Sequence, residues 1–282
     1  MTDAILQPIL ALLGYPVAAN PTQYMMEKAF AHHGLDCRFL TLEVAPEQLP
    51  DAIRGMRAMN FSGATCVEPH KQAVIELLDR TTQSATLAGA VNCIYRDDGQ
   101  WVGDNTEGQG MVQSIARRMD VAGKRVVLLG AGQMARAIAA ELALARVAEI
   151  LVVNRTEAKA VALATLLADK LQANVSAVAW LGEYLVPGET DLLVSATSIA
   201  ADDSDEPLPV CLDTLRSDAV VADVTLDPPA TRLLSEAEGR GCKTVDGLEM
   251  FIEQAAIGLR VWTGIDADRT VMREAVEEFL LL

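Results

Sequence analysis

Positive charge is what this sequence of 282 residues most lacks: 23 Lys and Arg stand against 39 Asp and Glu, a formal net charge of −16 with a pI near 4.6. Nucleic acid and anionic membrane surfaces are thereby excluded as expected partners, because binding either needs surplus cations to displace counterions from phosphate. Any anionic ligand has to be held by a few local donors. Material for a metal site is short as well. The five cysteines, Cys37, Cys66, Cys93, Cys211 and Cys242, are odd in number, widely spaced and form no CxxC pair, and His32, His33 and His70 complete no ligand set with them. No metal is expected, and the cysteines read as reduced, mostly buried small hydrophobes of a cytosolic protein. Long apolar runs are missing too, since no segment holds the ~18 uncharged apolar residues that would span a bilayer. Asp3 stands where a signal peptide carries basic residues and Pro8 interrupts the first apolar run, which argues against a leader. The expectation is a soluble cytoplasmic protein acting on a small molecule, with the oligomeric state, a homodimer included, left open.

What the sequence has is alternation. With 51% hydrophobic residues the chain can bury cores for two domains of ordinary size. Short apolar runs alternate with longer amphipathic segments throughout, the pattern of an α/β protein. Strands are predicted at 9–14, 37–44 and 63–67, then a hairpin over 89–104 with Asp98-Gly99 at its turn. A helix over 106–119 leads to a second series, with strands at 124–130, 149–154, 174–180, 190–197 and 219–224 and helices at 132–145, 156–170 and 229–240. Two more helices close the chain, over 246–264 and 268–282, and the stretch 201–209, "ADDSDEPLP", reads as a solvated loop.

One segment points to a cofactor. "VVLLGAGQMARAIAAEL" is an apolar strand, a glycine-rich turn and a helix, with Gly130, Gly132 and Ala135 at the small-residue positions of a dinucleotide fingerprint and Ala131, Gln133 and Met134 among them. A pyrophosphate would face the helix N-terminus, whose free N–H groups attract anions. The next strand ends in Asn154-Arg155-Thr156, 24 residues after Gly130 for the asparagine, where NAD sites carry an acidic residue for the ribose. With no carboxylate to repel a 2′-phosphate and the Arg155 fork to bind one, NADP is favoured over NAD. The alternative is a solvated Arg155 and a Thr156 that caps the following helix ahead of Lys159. Ala196, Thr197 and Ser198 fall at a strand end that would face the ligand, either lining the nicotinamide ribose or capping their own loop.

Eight short stretches in order, "GYP", "PHK" at 69–71, "AGAVN" at 88–92, "GDNTEG" at 103–108, "GAGQMARA", "NRT", "SATS" and "DGLEMFIEQAA" at 246–256, make the chain resemble the shikimate/quinate dehydrogenases over nearly its whole length. The resemblance implies a fold of two domains, an α/β substrate domain from 1–105 and 247–282 and a Rossmann-type doubly wound NADP-binding domain from 106–246. It implies hydride transfer between the nicotinamide and a ring carbon bearing a hydroxyl. Family members use a lysine and an aspartate at that hydroxyl, and the matching positions here are Lys71 and Glu107. The chemistry asks for such a pair in its own right, since an alcohol loses its proton as the hydride leaves. Asp104-x-x-Glu107 fits a helix capping box equally well. The matching substrate contacts are Thr65, Asn92, Asn105 and Gln254; Lys159, Val224 and Gly247 join the cofactor set, with Gly247 allowing close approach at the nicotinamide end.

Several family positions are changed. The serine-bearing "HSxSP" segment that holds the substrate carboxylate is the shorter "AANP" at 18–21, and "NVTxPxK" is "TCVEPHK", with Thr65 for the asparagine and Val67 for a hydroxyl residue. The catalytic aspartate is Glu107, and the tyrosine expected near residue 226 is Leu226. Two readings stay open: an NADP-dependent dehydrogenase with an altered substrate pocket, and a non-catalytic NADP-binding regulator on the same fold.

Overall fold

A computed structural model describes residues 6–197 and 209–282; Ser198 and the stretch 201–208 lie outside the described residues. The chain divides into two compact units, Met1–Thr106 with Gln254–Leu282, and Glu107–Glu253. The second boundary therefore falls inside a helix, not ahead of it.

In the first unit, β1 (Ile9–Gly14), α1 (Thr22–His32), β2 (Arg38–Glu43), α2 (Leu49–Ala58), β3 (Gly63–Cys66), α3 (His70–Ala73), β4 (Arg80–Thr81), α4 (Gln83–Ala88), β5 (Cys93–Asp97) and β6 (Gln100–Asp104) lead into α5 (Thr106–Ala116). The sheet has the order β2-β1-β3-β5-β6-β4. Its first three strands are parallel, and the hairpin β5–β6 turns through Asp98 (φ 47°) and Gly99 (φ 78°), the left-handed pair a two-residue turn requires. Buried residues run unbroken from Leu10 through Leu13 in β1, as expected of a strand covered on both faces. Gly63 is dictated by packing. A Cβ there would lie 2.3 Å from the Ile94 carbonyl oxygen and 2.5 Å from Trp262 Nε1, and that indole donates to the same carbonyl at 2.8 Å. Gly63→Ala should therefore lower stability by about 2 kcal/mol or more, the cost of forcing backbone and indole apart. Chemical denaturation of the purified variant checks it, and an unchanged midpoint would refute the packing argument.

In the second unit, β7 (Arg125–Leu129), α6 (Gln133–Leu144), β8 (Glu149–Asn154), α7 (Glu157–Leu171), β9 (Val175–Ala179), β10 (Tyr184–Leu185), β11 (Leu192–Ser195), β12 (Val210–Cys211), β13 (Val220–Asp223), α8 (Arg232–Gly239) and β14 (Lys243–Val245) precede α9 (Gly247–Thr263); α10 (Arg269–Leu280) ends the chain. Six of these strands form one sheet in the order β14-β13-β11-β7-β8-β9, every pair parallel. Read from β7, this is the strand order of the doubly wound dinucleotide fold, which reverses direction between β7 and β11. Ligands bind such sheets beyond the strand ends at that reversal. The core is apolar and closed: Val127, Leu129, Leu193 and Val221 on the strands pack with Leu233 and Leu234 of α8. Each fully buried Leu or Val contributes about 1.5–3 kcal/mol. No helix among the described residues is long and apolar enough to cross a membrane.

Candidate active site

The first unit gathers three of the motifs around Lys71. Its backbone carbonyl accepts from Val91 N at 2.8 Å, and Asn92 N donates to the Asp104 carbonyl at 3.0 Å, so "PHK", "AGAVN" and "GDNT" are laced together by main chain. Side chains finish the joint. Asn92 donates through Nδ2 to Thr106 Oγ1 at 2.9 Å and accepts from Thr106 N at 2.7 Å, while Asn105 Nδ2 donates to the Ala90 carbonyl. Asp104 is buried and accepts from the Thr82 hydroxyl and Asn105 N. Asn92 is thus engaged in holding the site together and has one amide hydrogen over for a ligand.

Lys71 lies in the short α3, its side chain only 12% exposed, with Nζ 3.8 Å from Glu68 Oε1. Neighbouring His70 is buried, its Nε2 2.8 Å from the Val44 carbonyl oxygen, which pins the turn on which Lys71 sits. Thr65 on β3 is half-buried and its hydroxyl meets no partner among the described residues. Gln254 of α9 is half-buried, and its Oε1 is buried and accepts no hydrogen bond. A buried amide oxygen without a donor asks for a ligand to supply one.

The segment Ala18-Ala19-Asn20-Pro21 follows β1 and turns through Ala19 in the left-handed region, φ 63°. It walls a cavity of about 410 Å³ whose other side carries Gln23, Glu27 and Thr41, and no basic side chain lines it. Gln23 and Glu27 accept from Thr41 N and Phe39 N, both at 2.8 Å, so their acceptors close the outer edge of β2. Val67 fills the space between β1 and this segment: a Cβ on Gly14 would stand 2.4 Å from Val67 Cγ2 and 3.0 Å from Val17. Nothing here is built to receive a carboxylate.

In the second unit the turn after β7 is shaped for a dinucleotide. Gly130 has φ 112°, and a Cβ on it would meet the Ala196 carbonyl oxygen at 2.6 Å, so a glycine is required where the two loops at the sheet's reversal touch. Gly132 is different. It begins α6 with nothing within 4 Å of a built Cβ, an open cradle ahead of helix N–H groups that no side chain caps and no acidic residue opposes. Gln133 Nε2 is buried there without an acceptor, and Ala135 is fully buried, letting α6 sit close to its strand. Ala131 and Met134 flank the cradle, half-buried, and Thr197 stands beside it on the β11 side.

At the end of β8, Asn154 Nδ2 donates to the Thr156 carbonyl at 2.9 Å. Thr156 occupies the N-cap position of α7, but its hydroxyl makes no capping bond. Arg155 and Lys159 are exposed and have no ion-pair partner among the described residues. Two cations and a hydroxyl with no protein partner at this strand end fit a phosphate on the ribose. Val224 N donates to the Ser195 carbonyl at 3.1 Å. What approaches Gly247 is protein: a Cβ there would lie 2.2 Å from the Thr225 carbonyl oxygen and 2.6 Å from that of Val224. Glu107, in the first turn of α5, is buried at 5% exposure. The adjacent Gly108 lets α5 ride on α6, since a Cβ would meet the Ala137 carbonyl oxygen at 2.3 Å. Among the described residues no three His, Cys, Asp or Glu side chains could hold a metal. Burial pushes the Cys66 thiol up to about 12, so it is no nucleophile.

Comparison with known proteins places this geometry. Residues 12–94 match the shikimate dehydrogenase substrate binding domain, 111–208 the shikimate/quinate 5-dehydrogenase model and 247–277 the shikimate 5′-dehydrogenase C-terminal domain. A curated relative from Thermococcus kodakarensis, shikimate dehydrogenase (NADP(+)), is 38% identical over 96% of both chains. The chain belongs to the shikimate/quinate dehydrogenase family. Among solved structures of that family's fold, a shikimate dehydrogenase in complex with NADP+ is 34% identical, with a TM-score of 0.84 over 96% of this chain and 95% of that one. The ligand-free 5-ketofructose reductase of Gluconobacter sp. strain CHM43 is 43% identical, with a TM-score of 0.93 over 97% and 99%.

As a shikimate/quinate dehydrogenase family member, the chain is an NADP-dependent oxidoreductase. Reasoning from the sequence missed Glu68, although its i, i+3 spacing from Lys71 is a signal for such a pair. It also missed His70 and the Asn92–Thr106 exchange, which no local pattern announces because the partners lie on different elements.

Proposed function

We propose that the protein reduces, with NADPH, a ketone of a neutral polyhydroxylated small molecule of the ketose kind, and runs the reverse oxidation of the corresponding alcohol. The observation that carries this reading is the substrate loop. The family's serine-bearing segment for the substrate carboxylate is here the shorter Ala18-Ala19-Asn20-Pro21, which has no serine, and Val67 stands where the family has a hydroxyl residue. Each lost bond to a charged group costs about 1.5–3 kcal/mol, so an acid such as shikimate is a poor ligand. The likeness to 5-ketofructose reductase supports the same direction, because the substrate in that protein's name bears ketones and hydroxyls and no carboxylate.

In this reading residues 1–105 and 247–282 hold the substrate and 106–246 hold NADP(H). Gly130, Gly132 and the start of α6 take the pyrophosphate, and Arg155, Thr156 and Lys159 take the 2′-phosphate. The bound cofactor supplies the hydride. Lys71 donates a proton to the carbonyl oxygen during reduction and recovers it during oxidation, with Glu107 the carboxylate that orients and charges the pair. Gln254 Oε1 accepts from a substrate hydroxyl, and the Thr65 hydroxyl and the remaining Asn92 hydrogen complete the polar lining.

Mixing the protein with NADPH and a panel of neutral ketoses and diketoses, beside 3-dehydroshikimate, and following nicotinamide absorbance tests the reading. Consumption with neutral ketones is expected. Consumption with the acid alone would defeat it.

A further inference from the structure

Glu68 has no part in the scheme above, yet it is a charged group that stands beside the proton carrier. The family motif leaves this position open, so nothing in the resemblance assigns it a role. Its Oε1 lies 3.8 Å from Lys71 Nζ across Pro69. The two side chains differ in exposure: Lys71 is 12% exposed and Glu68 64%, so the carboxylate stands on the solvent side of a lysine whose stem is buried. The backbone of Glu68 is held to the substrate loop, its carbonyl accepting from Tyr15 N at 3.3 Å, and Val67 beside it packs on Gly14 and Val17. The backbone that carries this carboxylate is therefore fixed to the same wall that has lost the family's hydroxyl donors.

We infer that Glu68 is a positioning and selectivity residue: it holds the Lys71 ammonium in place and bars anionic substrates from it, so that neutral polyhydroxy compounds are taken in preference. The geometry sets the scale. An oxygen hydrogen-bonded to Lys71 Nζ at about 2.9 Å comes no farther than about 7 Å from the Glu68 carboxylate. A carboxylate elsewhere on so small a molecule stays within roughly a Debye length of it, and the repulsion from so exposed a charge is felt most at low salt. A hydroxyl at the same place meets an acceptor instead of a like charge. Loss of the serines explains why an acid gains little here; Glu68 adds a reason why it is actively disfavoured.

This inference rests on Lys71 being the proton carrier, so the two are tested side by side. Wild type, Glu68→Gln, Glu68→Asp and Lys71→Ala are compared with shikimate and with a neutral polyol or ketose, by calorimetric titration in the presence of NADP and by steady-state kinetics at low and high salt. Glu68→Gln should bind shikimate about fivefold or more tighter than wild type at low salt, the gain shrinking as salt rises. The ratio of kcat/KM for acid over neutral substrate should rise by a similar factor, and Glu68→Asp should keep the wild-type ratio. A purely structural role would move both ligands together. Equal changes for acid and neutral ligand, or no gain in shikimate affinity in Glu68→Gln, including no binding by either protein, would overturn the inference. Undiminished turnover in Lys71→Ala would instead overturn the mechanism, whatever Glu68 does.

Discussion

Replacing Lys71 with alanine is expected to lower turnover by roughly 10² to 10⁴-fold while NADP affinity stays nearly unchanged. The separation follows from position. Lys71 belongs to the first unit, anchored through its carbonyl to Val91, whereas the open cradle at Gly132 and the exposed cations Arg155 and Lys159 belong to the second. General acid catalysis by a placed ammonium accounts for that range of rate and for none of the dinucleotide's binding energy. Steady-state kinetics on the best neutral ketone, together with fluorescence titration of NADPH, reads the two effects apart. A variant that loses cofactor affinity in proportion to rate would show that Lys71 shapes the fold and not the chemistry.

Arg155→Asp should weaken NADP binding by more than tenfold and leave NAD binding equal or improved. Among the described residues Arg155 and Lys159 lie exposed without an ion-pair partner and the Thr156 hydroxyl is free of capping duty, so a 2′-phosphate would meet at least one new charge-assisted fork. Each hydrogen bond to a charged group is worth about 1.5–3 kcal/mol, which alone exceeds a factor of ten, and the aspartate adds repulsion where NAD sites keep an acidic residue for the ribose hydroxyls. Titration of wild type and variant with both dinucleotides checks this. Equal affinity of the unmodified protein for NADP and NAD would remove the argument.

Elements were legible where physics leaves a periodic trace. In the second unit, Val126–Leu129, Leu192–Val194 and Val220–Ala222 are buried in the parallel sheet and read as unbroken apolar runs. β14 left no such trace: its three residues, Lys243, Thr244 and Val245, include one buried apolar side chain and pair on one side only. β4, β10 and β12 are two residues each and exist through their partners. Cap positions were harder still. Thr231 rather than Pro229 starts α8, because its hydroxyl accepts from Leu234 N.

The site shows the same division. Lys71, Gln254 and the glycines of the cradle stand in motifs with a chemical reason that can be read in line. What surrounds them cannot be read that way, since the reciprocal Asn92–Thr106 bonds and the His70–Val44 contact join residues 14 and 26 positions apart. Gly247 is instructive because its motif position suggests room for a ligand, and the structure shows room already taken by the Thr225 carbonyl. A glycine in a motif marks a close approach and does not say by what.

The claim that the fold has exchanged an acidic substrate for a neutral one is tested most directly by specificity constants measured in one buffer with NADPH. The two substrates are 5-ketofructose, as the neutral diketose, and 3-dehydroshikimate, as the acid. With the family's serines for the carboxylate missing from Ala18-Ala19-Asn20-Pro21 and Val67 in place of a hydroxyl residue, at about 1.5–3 kcal/mol for each lost bond to the charge, kcat/KM for the neutral compound should exceed that for the acid by roughly 10²-fold or more. Efficient, low-KM reduction of 3-dehydroshikimate, with the neutral diketose no better, would contradict the account.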